Sequence, residues 1–82
     1  MQNPKKMIYY FTVSWDGIDE LTEGSVTHMR ESYKDAIEGI KYYMEKYKLR
    51  DPYPTGLSLT TIDQEYSENL LTDKLKHYLM EK

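Results

Sequence analysis

Cysteine is absent from this 82-residue chain. That excludes disulfide staples and every thiolate metal site. A chain of this length is one domain and buries roughly 60–65% of the surface its unfolded form exposes. Its stability margin is therefore thin, and the compensations left are large aromatic side chains and oligomerisation. The lack of a disulfide framework is compatible with a reducing compartment.

Long hydrophobic runs are also missing, and none approaches the ~20 residues needed to span a bilayer. Lys5-Lys6 ahead of residues 7–11 looks faintly like the start of a signal peptide. Thr12 and Ser14 interrupt that run, and no small-residue cleavage site follows. The expected location is the cytoplasm, that of a host cell included. An excess of basic charge is lacking: the net charge is −3, which argues against a nucleic-acid-binding face. The four glycines, Gly17, Gly24, Gly39 and Gly56, make neither a phosphate loop nor a dinucleotide fingerprint. No Ser sits in a Gly-x-Ser-x-Gly turn, so nucleophilic catalysis finds no support. A domain this small also leaves little room for a pocket of about 300 Å³. The expectation is a protein that is not an enzyme and needs no cofactor.

What the chain does have is tyrosine, nine in all, with one Trp and one Phe. Tyr is amphipathic and serves equally in a core or on a contact surface. The densest run, residues 7–15, reads as a strand. Met7, Tyr9, Phe11, Val13 and Trp15 fall on one apolar face, and Ile8, Tyr10, Thr12 and Ser14 on a mixed one. Asp16-Gly17 ends it with turn chemistry. Residues 25–30 read as a second strand, with weak alternation. Ser32 and Asp35 mark a helix start. The helix is expected to run to about Lys48, with its stripe on Tyr33, Ile37, Ile40, Met44 and Tyr47. Pro52, Pro54 and Gly56 read as a loop, and residues 57–62 as a third strand. Ser67 is expected to cap a final helix over 68–81, with Leu71, Leu75, Tyr78 and Leu79 on its stripe.

The fold class is therefore α+β: a ββαβα domain over 7–82 after a flexible start at 1–6. About three strands form a sheet, with two helices packed on one face. This pattern is similar to that of many small proteins, phage-encoded inhibitors among them, in size and style rather than in motif.

Candidate chemistry is sparse. Asp16, Asp19, Glu20 and Glu23 make an acidic connection whose spacing does not fit a calcium loop. It reads as a solvated turn or as a patch for a basic partner. Asp73, His77 and Glu81 share a helix face at metal-ligand spacing, but a His near a helix C-terminus is favoured by the dipole alone. His28 is a lone strand histidine. Lys46, Lys48 and Arg50, with Tyr47 and Tyr53, could hold a single strand of nucleic acid; cations at a helix end are equally expected without one. Tyr9, Tyr33, Tyr47 and Tyr78 are assigned to the core. The small-residue notch at Ala36 and Gly39 admits a neighbouring ring, such as Trp15, or a partner.

The leading expectation is a protein-binding module, an inhibitor, adaptor or regulator that blocks its partner sterically, as a phage or mobile-element protein acts on a host complex. Its contact residues would be Tyr10, Thr12, Asp16, Asp19, Glu20, Glu23, Tyr42 and Tyr53, and its partner a protein with a basic surface. The alternatives are a nucleic-acid binder and a self-assembling subunit that uses a sheet edge or the helix notch.

Overall fold

The computed structural model describes residues 6–17 and 23–81. The element order is β1 (Met7–Trp15), β2 (Gly24–Arg30), α1 (Tyr33–Lys46), a 3₁₀ turn (Lys48–Arg50), β3 (Tyr53–Thr61), β4 (Ser67–Asn69) and α2 (Asp73–Met80). All strand pairs are antiparallel, in the spatial order β2-β1-β3-β4. The α+β class stands, with four strands in place of three.

The fourth strand arises where a helix cap was expected. Thr61 and Asp63 close a tight turn: the Thr61 hydroxyl donates to Asp63 Oδ1 at 2.7 Å, and Gln64 takes a φ of 62°. The chain then doubles back and Ser67 pairs with Thr60. Helix α2 starts later. Its cap is Thr72, whose Oγ1 accepts from the Leu75 N–H at 3.1 Å. The Ser32 cap on α1 is as expected, accepting from the Asp35 N–H at 3.1 Å. The helix ends at Lys46, two residues short of the expected limit.

The two prolines do not keep 53–56 in a loop. Asp51 reverses the chain in the left-handed region, at φ 51°, and β3 begins at Tyr53. Pro54 sits opposite Val13 beside a register shift, a kind of place where strands tolerate proline, and its ring is fully buried.

The alternation in β1 places the core as expected. Phe11 and Val13 are fully buried and Trp15 nearly so. They meet Ala36 and Ile40 of α1, Leu57 of β3 and Leu79 of α2. Both helices thus contribute to one cluster on the Phe11 side of the sheet. The α1 stripe is rotated from its expected line, since its buried residues are Ala36, Gly39 and Ile40. Tyr33 and Tyr78, assigned to the core from spacing, are 44% and 54% exposed. They stand at the mouth of the cleft between the helices, with Ile37 and Leu75 behind them.

Candidate functional site: the bare sheet face and its acidic corner

Strand periodicity sends Ile8, Tyr10, Thr12 and Ser14 to the side away from both helices. All four are half-buried. The register of β2 and β3 fixes their neighbours. Tyr10 lies between Met29 and Ser58, Thr12 between Thr27 and Gly56, and Ser14 between Ser25 and Tyr53. No helix among the described residues covers this face. Met29, on its outer row, is 54% exposed.

Hydroxyl groups knit the middle of the face. The Thr12 and Thr27 hydroxyls are 2.9 Å apart and those of Ser14 and Thr55 are 2.7 Å apart. The Thr12 side chain is thereby held by its neighbours.

At the corner where β1 ends, the Tyr53 hydroxyl donates to Asp16 Oδ1 at 2.7 Å. This bond holds the phenol in its neutral form and raises its pKa above the ordinary tyrosine value, with smaller contributions from desolvation and the charges of Asp16 and Glu23. Ser14, Trp15, Asp16, Glu23, Gly24, Ser25 and Tyr53 line a hollow of about 420 Å³. Hollows of this size do occur on so small a domain, but as surface grooves. Because the folded-state pKa of Tyr53 is raised, the clasp is intact below the unfolded phenol value and is lost as pH rises through the folded one. Tyr53 is therefore expected to titrate at higher pH than an ordinary tyrosine phenol. Ring NMR signals followed to alkaline pH check this, with Asp16→Asn returning Tyr53 to the ordinary range.

The expected contact residues are thus partly gathered. Tyr10, Thr12 and Tyr53 share the bare face, and Asp16 and Glu23 stand at its corner. Tyr42 does not join them. It projects from α1 in the other layer, 58% exposed and edge-on to Tyr43 at 4.9 Å. Asp19 and Glu20 lie outside the described residues.

A second feature escaped the sequence reading. The seam between α1 and β2 carries a row of rings. His28 stacks on Tyr43 at 4.6 Å, Tyr43 runs near-parallel to Tyr47 at 6.4 Å, and Tyr47 stacks on Trp15 at 4.5 Å. The i, i+4 spacing of Tyr43 and Tyr47 was visible, but which strand lay beneath them was not. The cations considered for nucleic acid already have seats here. Lys46 lies over Tyr43 and Tyr47, Arg50 lies over Trp15, and Lys48 pairs with Glu45 at 3.1 Å. Among the described residues the buried Trp15 Nε1–H has no hydrogen-bond partner.

The metal-spaced trio on α2 does not form, because Glu81 lies past the helix end in extended backbone. Among the described residues no group of three His, Cys, Asp or Glu could hold a metal ion, and no helix is long and apolar enough to cross a membrane. No protein-family model, curated protein or solved structure matches this chain.

Proposed function

We propose that the chain is a non-enzymatic protein-binding module, an inhibitor, adaptor or regulator, and that the bare sheet face is its contact surface. The observation that carries this reading is the layering: both helices sit on one side, which leaves Tyr10, Thr12, Met29 and Tyr53 on the other. Tyrosine on a strand surface gives large contact area at low entropy cost, and methionine adapts its shape to what it meets. The corner acids add a preference. Asp16 and Glu23 beside the hollow favour a partner that presents lysine or arginine there, which sets register and on-rate more than affinity. The mechanism is occlusion: a flat sheet laid on a basic surface blocks whatever else would use it.

The nucleic-acid reading has less behind it, because Lys46, Lys48 and Arg50 are all engaged within the chain. The test is affinity capture from the native cell. Wild-type protein is expected to retain one partner that the Tyr10→Ala/Tyr53→Ala double variant loses while its far-UV circular dichroism is unchanged. Full retention by the folded double variant removes this surface from consideration.

A further inference from the structure

Asp16 and Gly17 form the one Asp-Gly step in the chain. Both follow the last pair of the β1–β2 ladder, Trp15 with Gly24, and so lie outside the sheet. Gly17 has no Cβ, which leaves its amide nitrogen uncrowded and its backbone free to turn. The other described aspartates are each followed by a bulkier residue. Asp35 precedes Ala36 and Asp73 precedes Lys74, both within helices, while Asp51 precedes Pro52 and Asp63 precedes Gln64.

Asp16 is exposed, and one contact restrains its carboxylate. The Tyr53 hydroxyl donates to Oδ1 at 2.7 Å. A hydrogen bond to a charged acceptor is stronger than a neutral one. Its donor is well placed, because Tyr53 opens β3 and pairs with Ser14 of β1. Among the described residues no other side chain holds Asp16. Its carboxylate is thus tied to a residue 37 positions away, across the sheet from the Gly17 nitrogen that follows it in the chain.

We propose that Asp16-Gly17 is a site of spontaneous covalent modification, the conversion of aspartate to isoaspartate, and that the Tyr53 clasp slows it. The Gly17 nitrogen attacks Cγ of the protonated Asp16 carboxyl. An N–Cγ bond forms, a Cγ–O bond breaks, and the hydroxyl leaves with the amide proton as water. Water then opens the resulting succinimide ring at either carbonyl. Opening at Cγ restores aspartate. Opening at the main-chain carbonyl leaves isoaspartate, with the chain running through Cγ. Water is lost and regained, and no other reagent is consumed. A carboxylate tied to Tyr53 cannot turn its Cγ onto the Gly17 nitrogen, so only the untied fraction reacts. In isoaspartate the free carboxylate sits directly on Cα and no longer reaches the phenol. Conversion therefore releases the clasp at the acidic corner of the bare face. Any effect on a partner rests on the contact-surface reading above; the covalent change does not.

Ageing of the full chain in warm neutral buffer tests this. Isoaspartate is located by fragmentation mass spectrometry of the tryptic peptide that spans residues 7–30. The folded wild type is expected to accumulate it at Asp16 before any other aspartate, and more slowly than the chain unfolded in urea. Tyr53→Phe removes only the hydroxyl and is expected to speed accumulation by about two- to tenfold, the factor that one net hydrogen bond is worth. Asp16→Glu, whose longer side chain closes a less favoured ring, is expected to stop it. If Tyr53→Phe does not fold, the wild type itself is compared on either side of the Tyr53 titration, with the excised peptide as reference. A phenolate cannot donate, so the rate of the folded chain relative to the peptide is expected to rise. Equal rates for the wild type and the folded Tyr53→Phe variant overturn the proposal. So does a ratio to the peptide that stays flat through the titration, or isoaspartate that arises first at another aspartate.

Discussion

Phe11→Ala is expected to remove a large share of the domain's stability. Phe11 is completely buried, at the centre of a cluster drawn from β1, β3 and both helices. Truncating such a ring costs about 3–5 kcal/mol, combining lost transfer energy with an unfilled cavity. A domain of this length has roughly 4–12 kcal/mol in total, at about 0.05–0.15 kcal/mol per residue. The damage extends past the cavity. The Arg30 guanidinium lies 5.3 Å from the Phe11 ring centroid, and His28 and Tyr43 each lie 6.0 Å from it. Removing the ring therefore loosens the β2 side of the helix layer as well. Thermal melts followed by circular dichroism should show a midpoint at least about 12 °C lower. A fall of less than about 5 °C would mean that this cluster does not anchor the domain.

Gly39→Ala is expected to destabilise the protein, although helix propensity alone predicts the reverse. In an exposed helix the change would gain up to about 1 kcal/mol. Here a Cβ on Gly39 would stand 2.7 Å from Cε2 and Cζ of Phe11. Neither side has slack, since Phe11 is fully enclosed and Gly39 is itself buried. Overpacking a dense core costs about 1–3 kcal/mol as rings leave their rotamers and the helix lifts from the sheet. A net loss of about 1–2 kcal/mol is expected in urea titrations. The companion change Glu38→Ala, one residue earlier and exposed, should be near neutral. A stabilised Gly39→Ala would show that α1 is not seated this closely on β1.

These two residues also mark what could be read from sequence. The alternation through Phe11, Val13 and Trp15 identified the core face of β1, because a two-residue period in a strand has one geometric meaning. The Gly39 notch was visible as an oddity. Its occupant, Phe11 rather than Trp15, depends on how α1 crosses the sheet, and periodicity carries no crossing angle. Tyr33 and Tyr78 failed as core residues for a related reason. A stripe gives the apolar side of a helix, but only the packed layer decides where along it burial stops. The extra strand at Ser67–Asn69 was hidden because a hydroxyl before a helix serves equally as cap or as strand residue. The turn through Thr61 and Asp63 settled which.

The candidate site was legible in the same measure. Tyr10 and Thr12 followed from strand parity. The union of Tyr53 with Asp16 is a contact between residues 37 apart in sequence, which no local pattern encodes. Tyr42 was chosen because it pointed away from the helix stripe. Pointing away from that stripe puts it in the helix layer rather than on the bare side of the sheet.

The sharpest measurement is therefore the affinity of the captured partner for three proteins: wild type, Tyr10→Ala/Tyr53→Ala, and Tyr42→Ala. If the bare face is the contact surface, the double variant binds at least about tenfold more weakly and Tyr42→Ala binds as wild type does. Weakened binding by Tyr42→Ala, with the double variant unaffected, would place the contact in the helix layer and contradict the assignment.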